Sequence, residues 1–210
     1  CLEGVPWERF LAFSRARDRG PAERQLGETL GRMHAELTSL QFHEILPDPS
    51  REYSDWSELF RSLWGSRVES VLASDRLDAV TVEAVEGIHQ NLSALLAFDE
   101  RPRLIHGQLT ASSVLCRQGA GGWEIAGFLD PALSYGHHEV DLALVEYRLR
   151  ASQEFFDAYR DRMPIQEGYE LRKYVYMLYS VLEDVRLFGN THHILGAIEL
   201  TREILQRCGL

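Results

Sequence analysis

Residues that could bind a cation or move a proton are concentrated in the middle of the chain. Residues 104–113 read LIHGQLTASS, and residues 128–131 read FLDP. The Asp130 carboxylate can hold a cation, and the His106 imidazole can exchange a proton near neutral pH. The Gln108 amide cannot accept a proton, and the Ser113 hydroxyl is a weak ligand for a hard cation such as Mg²⁺. These residues predict a polar site with Asp130 as its strong anionic ligand.

The spacing resembles the active site of the aminoglycoside phosphotransferase and fructosamine (ketosamine) kinase superfamily. In that superfamily the loop reads HGDLxxxN, where the Asp takes or orients the substrate hydroxyl proton and the Asn holds Mg²⁺. Gln108 and Ser113 occupy these two positions, and Asp130 takes the place of the second metal-binding carboxylate. The resemblance therefore makes Gln108, Asp130 and His106 the candidate catalytic residues and Asp130 the candidate metal ligand, with Ser113 structural at the site.

A second polar run extends the resemblance. Residues 129–143 read LDPALSYGHHEVDLA, similar to the fructosamine kinase pattern IDPAxxYGHxExDLA. In that family the Tyr-Gly-His segment borders the substrate, which implies substrate contacts for Tyr135, His137 and Glu139. Asp141 resembles a buried Asp that accepts backbone N–H bonds from the loop around His106, and we expect it to be structural.

Two of these residues have alternative roles. His106 is either a scaffold residue that braces the loop or a general acid or base. Asp130 either contacts a metal ion or the substrate, or is a structural carboxylate that caps backbone amides. Because Asp130 precedes Pro131, an extended conformation at a strand end is predicted. The adjacent pairs 137–138 and 192–193 cannot each chelate one ion, since neighbouring side chains point apart.

The remaining pattern predicts the elements that position these residues. Apolar residues at helical spacing predict helices near 21–40, from Ser54 or Asp55 onward, and at about 79–98. Short apolar runs predict strands at 103–106, 113–117 and 123–129, the last two joined by a hairpin loop at 118–122. Further helices are predicted at 139–150, 152–162, 168–188 and 191–207, the last capped by Thr191.

The predicted fold class is α+β, mostly helical. The resemblance implies a protein-kinase-like C-terminal lobe whose small β-hairpin carries the catalytic and metal loops. Residues 1–210 are predicted to form a single domain.

Composition limits the partners. The net charge of −10 argues against nucleic acid. It suits an amine-bearing small molecule, or it serves only as a solubilising surface charge. Three scattered cysteines predict neither a disulfide framework nor a zinc site, and a reducing cytoplasm is expected. No apolar run is long enough for a membrane span.

The residues at the start of the sequence resemble the hinge between the two lobes of these kinases. That resemblance implies that the N-terminal lobe lies outside residues 1–210, so ATP and Mg²⁺ are expected only if such a lobe is supplied. We predict an exposed apolar face there, covered by a second copy or a partner protein and lined by Leu2, Val5, Trp7, Phe10, Leu115 and Phe128.

Three functions remain open. The first is a pseudokinase or small-molecule binding module without phosphoryl transfer. The second is a redeployed biosynthetic enzyme that uses Asp130 and His106, with His137 or Glu139, for acid–base chemistry on a small amine or sugar-like substrate. The third is a fragment or variant of an ATP-dependent small-molecule kinase.

Overall fold

The computed structural model describes residues 3–45, 49–97 and 99–209. A 3₁₀ turn covers Ala16–Asp18, and a π-helical turn covers Val145–Leu149. The other elements in chain order are β1 (Val5–Pro6), α1 (Trp7–Phe13), α2 (Gly20–Glu36), β2 (Phe42–Glu44), β3 (Glu52–Tyr53), α3 (Trp56–Leu72), α4 (Ala79–Gln90), α5 (Leu92–Leu95), β4 (Arg103–Ile105), β5 (Val114–Gly119), β6 (Gly122–Phe128), β7 (Ser134–Gly136), α6 (Glu139–Leu144), α7 (Gln153–Arg160), α8 (Tyr169–Leu187) and α9 (Thr191–Cys208).

The chain divides into two compact units, each built from two segments. Unit 1 comprises Cys1–Arg51 and Arg101–Gln166, and unit 2 comprises Glu52–Glu100 and Glu167–Leu210. All the residues proposed for the site lie in unit 1. The single-domain organisation of residues 1–210 stays a prediction.

Two small antiparallel sheets in unit 1 carry the loops of interest. One has the strand order β1-β5-β6, and its β5–β6 hairpin turns through two residues, Ala120 and Gly121. In the other sheet β7 lies between β2 and β4. The predicted hairpin is confirmed with a shorter loop, because strand pairing continues to Gly119 and Gly122.

Helices α2 and α7 pack closely against each other in unit 1. Gly27 and Gly31 lie at their contact, where a Cβ on Gly27 would come within 2.4 Å of the Phe155 carbonyl oxygen. A Cβ on Gly31 would lie 2.8 Å from the Arg162 Cβ. The close approach brings Tyr159 of α7 beside α2, next to the candidate site.

Unit 2 is built around an aromatic core. Trp56, Phe60 and Trp64 follow one another along α3 and pack with Tyr176 and Tyr179 of α8. The Trp56 indole N–H donates to the Tyr176 hydroxyl across 3.0 Å. This apolar face was predicted from the helical spacing, and the unit has no residue of the candidate site.

Helix ends differ from the predictions where local hydrogen bonds intervene. Asp55 caps α3, as one of the two predicted caps. The helix predicted over 79–98 is interrupted at Asn91, whose side chain donates to the Gly87 carbonyl oxygen and ends α4. The prediction that Thr191 caps α9 is wrong, because the Asn190 side chain accepts the capping hydrogen bond from the His193 N–H.

Candidate functional site

The loop that contains Gln108 is fastened at its start by the Asp141 carboxylate. The backbone N–H of His106 donates to Asp141 Oδ2 at 2.8 Å, and the N–H of Gly107 donates to Oδ1 at 2.9 Å. Asp141 lies at the start of α6 and has no solvent exposure. The family resemblance implied that Asp141 accepts backbone N–H bonds from this loop, and the structure shows that each carboxylate oxygen accepts one of them.

A buried chain of side chains extends behind Asp141. His34 Nε2 lies 3.2 Å from Asp141 Oδ2, and His34 Nδ1 lies 2.8 Å from the Tyr159 hydroxyl. Burial by itself would raise the pKa of Asp141. The hydrogen bond and charge of His34, together with the hydrogen bond from the backbone N–H of His106, outweigh burial and lower that pKa. The carboxylate therefore stays ionised at neutral pH.

Sequence reasoning gave His34 no special role. The available signal was its place on α2, four residues after the core residue Leu30 and on the buried face of the helix. A fully buried histidine needs hydrogen-bond partners, and the structure supplies Asp141 and Tyr159.

The His106 ring connects the two loops of the site. Its Nε2 lies 3.1 Å from the Leu129 carbonyl oxygen, so Nε2 carries the proton and donates it. Its Nδ1 then accepts from the Gln108 backbone N–H at 3.3 Å. Because both ring nitrogens are engaged and the residue is buried, this geometry supports the bracing role more than acid or base chemistry.

The loop around Asp130 is also held by its backbone. The Leu129 N–H donates to the Ser113 carbonyl oxygen at 2.8 Å, and the Ala132 N–H donates to the His106 carbonyl oxygen at 2.9 Å. The predicted extended conformation of Asp130 is wrong: its φ is +51°, in the left-handed region. The two bonds on either side hold the chain in this turn against the preference imposed by Pro131.

Ser113 is engaged within its own loop. Its hydroxyl accepts from the Thr110 N–H at 2.8 Å and donates to the Thr110 carbonyl oxygen at 3.1 Å. The residue is 3% exposed. The hydroxyl therefore closes a tight turn over residues 110–113, as Ser and Thr side chains do elsewhere.

Gln108 and Asp130 are both exposed, unlike the other catalytic candidate, His106. Gln108 therefore presents an uncharged amide to solvent, and Asp130 presents a carboxylate. Each lies beside the fixed backbone of its loop. Their roles in catalysis remain predictions.

The predicted substrate-contacting residues have different environments. Tyr135 lies on β7 and is half-buried, so its ring can reach a ligand. His137 and Glu139 have no solvent exposure. Direct contact with a substrate stays a prediction for all three residues, and burial favours a supporting role for His137 and Glu139.

A Mg²⁺ site of the superfamily's kind needs a second protein ligand besides Asp130. Ser113, at the position of the family Asn, has a hydroxyl whose proton and one lone pair already bond to Thr110. In residues 3–45, 49–97 and 99–209, no three His, Cys, Asp or Glu side chains form a group that could hold a metal ion. Asp130 is therefore the family's remaining carboxylate ligand, and water would supply most of the coordination shell of any Mg²⁺ held there.

The face predicted to be apolar and exposed is different in the structure. Trp7 and Phe10 are completely buried in unit 1, and the Trp7 indole N–H donates to the Leu149 carbonyl oxygen at 2.9 Å. Leu115 is 7% exposed, Val5 is half-buried, and Leu2 lies outside the described residues. The prediction that Trp7 and Phe10 line an open surface is wrong, because both side chains belong to the core.

The class of protein follows from this fold and site. The structure superposes on that of the aminoglycoside phosphotransferase APH(4)-Ia with a TM-score of 0.58 at 16% identity, covering 95% of this chain and 69% of that chain. It superposes on a "putative fructosamine-3-kinase" from Thermobifida fusca YX-ER1 with a TM-score of 0.73 at 27% identity, covering 89% of this chain and 66% of that chain. The fold is that of the kinase-like phosphotransferases.

The family is defined by sequence. The model described as Fructosamine kinase matches residues 9–207, and the chain therefore belongs to the fructosamine kinase family. It is 29% identical over 189 residues to "Probable ketoamine kinase YniA" of Escherichia coli (strain K12), covering 84% of this chain and 62% of that relative. It is 30% identical over 194 residues to "Protein-ribulosamine 3-kinase, chloroplastic" of Arabidopsis thaliana, covering 86% of this chain and 56% of that relative. The chain thus spans about three fifths of these relatives' length.

One further property concerns the membrane. None of the helices in the described part of the chain combines the length and hydropathy that a membrane span requires.

Proposed function

We propose that this chain is a ketoamine-binding member of the fructosamine kinase family that does not transfer phosphate. The single observation that carries the proposal is the loop 106–113, which keeps the family's backbone anchoring but lacks its two chemical groups. Asp141 and His106 hold the loop in place. Gln108, however, offers no base, and the Ser113 hydroxyl is bonded to Thr110.

The magnitude of the loss supports binding over catalysis. A positioned general base contributes about two to four powers of ten to a rate. A neutral amide supplies none of this, and the second metal ligand is missing as well. The fixed loops and half-buried Tyr135 can still form one wall of a ligand site, since binding needs neither group.

The proposed ligand is a sugar-derived amine. The relatives named above are a ketoamine kinase and a ribulosamine 3-kinase, and the net charge of −10 favours a cationic amine over an anion. ATP and Mg²⁺ are part of the proposal only where an N-terminal lobe is supplied.

The redeployed-enzyme function has less support from the geometry. The His106 ring nitrogens are both engaged, and His137 and Glu139 are buried. Asp130 alone would have to provide the acid and the base.

Isothermal titration with fructosyl-lysine, combined with mass spectrometry of the ligand after incubation with ATP and Mg²⁺, tests the proposal. We expect saturable binding and a ligand of unchanged mass. A gain of one phosphate, lost in Asp130→Asn, would refute the absence of transfer. A ligand consumed without added phosphate would favour the redeployed enzyme instead.

A further inference from the structure

A histidine outside the family motif lies beside Tyr135. His43 of β2 and Tyr135 of β7 are directly opposed in the antiparallel register, and their ring centroids are 5.0 Å apart at an interplanar angle of 37°. Opposed residues of an antiparallel pair project from the same face of a sheet. Leu104 of β4 is opposed to Tyr135 on its other side. The three side chains therefore form a row across one face.

This row differs from its surroundings in exposure. His43, Tyr135 and Leu104 are all half-buried, whereas Phe42 and Ser134, one step along their strands, are each 6% exposed. On the central strand β7, half-buried Tyr135 alternates with buried Ser134 and Gly136, so the face that carries Tyr135 is the more open one there. The open face thus presents two aromatic rings and one aliphatic side chain.

The polar atoms of the row are available. His43 Nδ1 lies 3.1 Å from the Gln41 carbonyl oxygen, which can only accept, so Nδ1 carries the proton. In the neutral imidazole Nε2 is then an acceptor. Among the described residues, neither His43 Nε2 nor the Tyr135 hydroxyl has a hydrogen-bond partner.

The row also lies beside the loops of the candidate site. β4 ends directly before His106, and β7 begins shortly after Asp130. Because the two strands are antiparallel, both loops lie at the same end of this strand pair. The paired residues Ile105 and Ser134 are the last pair at that end. The row is one residue farther in, which is about 3.3 Å along a strand.

We propose that His43 and Tyr135 form a binding platform for the amine-bearing sugar portion of a ketoamine. His43 Nε2 accepts a hydrogen bond from a ligand hydroxyl or ammonium group, and the Tyr135 hydroxyl makes a second one. The Tyr135 ring face attracts the cationic amine, because the face of a tyrosine ring carries negative potential. Leu104 gives the ligand carbon chain an apolar contact. This inference rests on the proposed function and adds to it a residue, His43, that recognises the ligand.

The test is the dissociation constant of fructosyl-lysine for wild type, His43→Phe and Tyr135→Phe, measured by isothermal titration on the whole chain. Each substitution keeps an aromatic ring and removes polar atoms, so folding should be preserved, as checked by circular dichroism. Loss of one hydrogen bond should weaken binding about 3- to 10-fold in each variant. The matched control is His192→Phe, which changes an exposed histidine of unit 2 and should leave binding unchanged.

The outcomes separate this inference from the proposed function. Binding by wild type with equal dissociation constants in both folded variants would overturn the platform and leave the proposed function standing. Phosphate transfer by wild type would overturn the proposed function alone, and the platform would then appear as a 3- to 10-fold rise in KM for the ketoamine. Wild type that binds no fructosyl-lysine would overturn both.

Discussion

Replacing Asp141 with Asn should destabilise unit 1 strongly, because one carboxylate oxygen becomes an NH₂ donor. Both oxygens now accept, from the N–H groups of His106 and Gly107, and Oδ2 also pairs with His34. In the variant one buried N–H faces another donor, which costs about 1–3 kcal/mol. Loss of the negative charge weakens the remaining bonds by about 1.5–3 kcal/mol in total.

The expected total for Asp141→Asn is therefore about 2.5–6 kcal/mol of unfolding free energy. For a chain of this size that corresponds to a fall in Tm of about 5–24 °C. Thermal unfolding followed by circular dichroism measures it. Asp157→Asn is the matched control: its side chain is 68% exposed, and the change should stay below about 0.5 kcal/mol.

Hydrogen exchange at two amides locates the effect. In Asp141→Asn the N–H groups of His106 and Gly107 should exchange faster than in wild type, since the acceptor that protects them is altered. Equal melting temperatures for wild type and Asp141→Asn would refute the reasoning. A lower melting temperature with unchanged exchange at both amides would refute the assignment of Asp141 to the loop.

Three more outcomes follow from the same contacts. Gly107→Ala should lower the free energy of unfolding in urea by at least about 2 kcal/mol, because φ is +75° and the new Cβ would lie 2.4 Å from the Ala132 carbonyl oxygen. A variant as stable as wild type would contradict this. Burial raises the pKa of Cys116 to about 12, so iodoacetamide at pH 8 should label the Cys208 peptide and spare the Cys116 peptide in mass spectra. The lowered pKa of Asp141 contributes stability that is present above about pH 4 and lost as pH falls through the folded-state value. The stability gap between wild type and Asp141→Asn should therefore narrow in acid, and a gap unchanged down to pH 2 would contradict that contribution.

The sequence predicts those parts of the fold that depend on local periodicity. The apolar spacing of α2 and α3 and the Asp55 cap are visible in short windows of sequence, and the structure confirms them. The glycine-rich turn likewise identifies the β5–β6 hairpin. The errors at Asn91 and Thr191 arise because a single side-chain hydrogen bond decides where a helix ends.

The rest of the site depends on contacts between distant residues. The left-handed φ of Asp130 results from backbone bonds on both sides of it, which outweigh the local effect of Pro131. The pairing of His43 with Tyr135 joins strands about 90 residues apart, which no local pattern encodes. The exposure predicted for Trp7 was wrong for a similar reason, because the carbonyl group that accepts its indole N–H belongs to Leu149, 142 residues away.

The most direct test of the central claim is a phosphate-transfer assay on the natural polypeptide that carries this sequence. Radiolabelled ATP, Mg²⁺ and fructosyl-lysine would be incubated with wild type, with Asp130→Asn and with Gln108→Asp/Ser113→Asn, and the labelled ketoamine would be counted. Because Gln108 cannot act as a base and the Ser113 hydroxyl is bonded within its loop, we predict that wild type gives no more product than Asp130→Asn. Labelled ketoamine that wild type forms and Asp130→Asn does not would contradict the account.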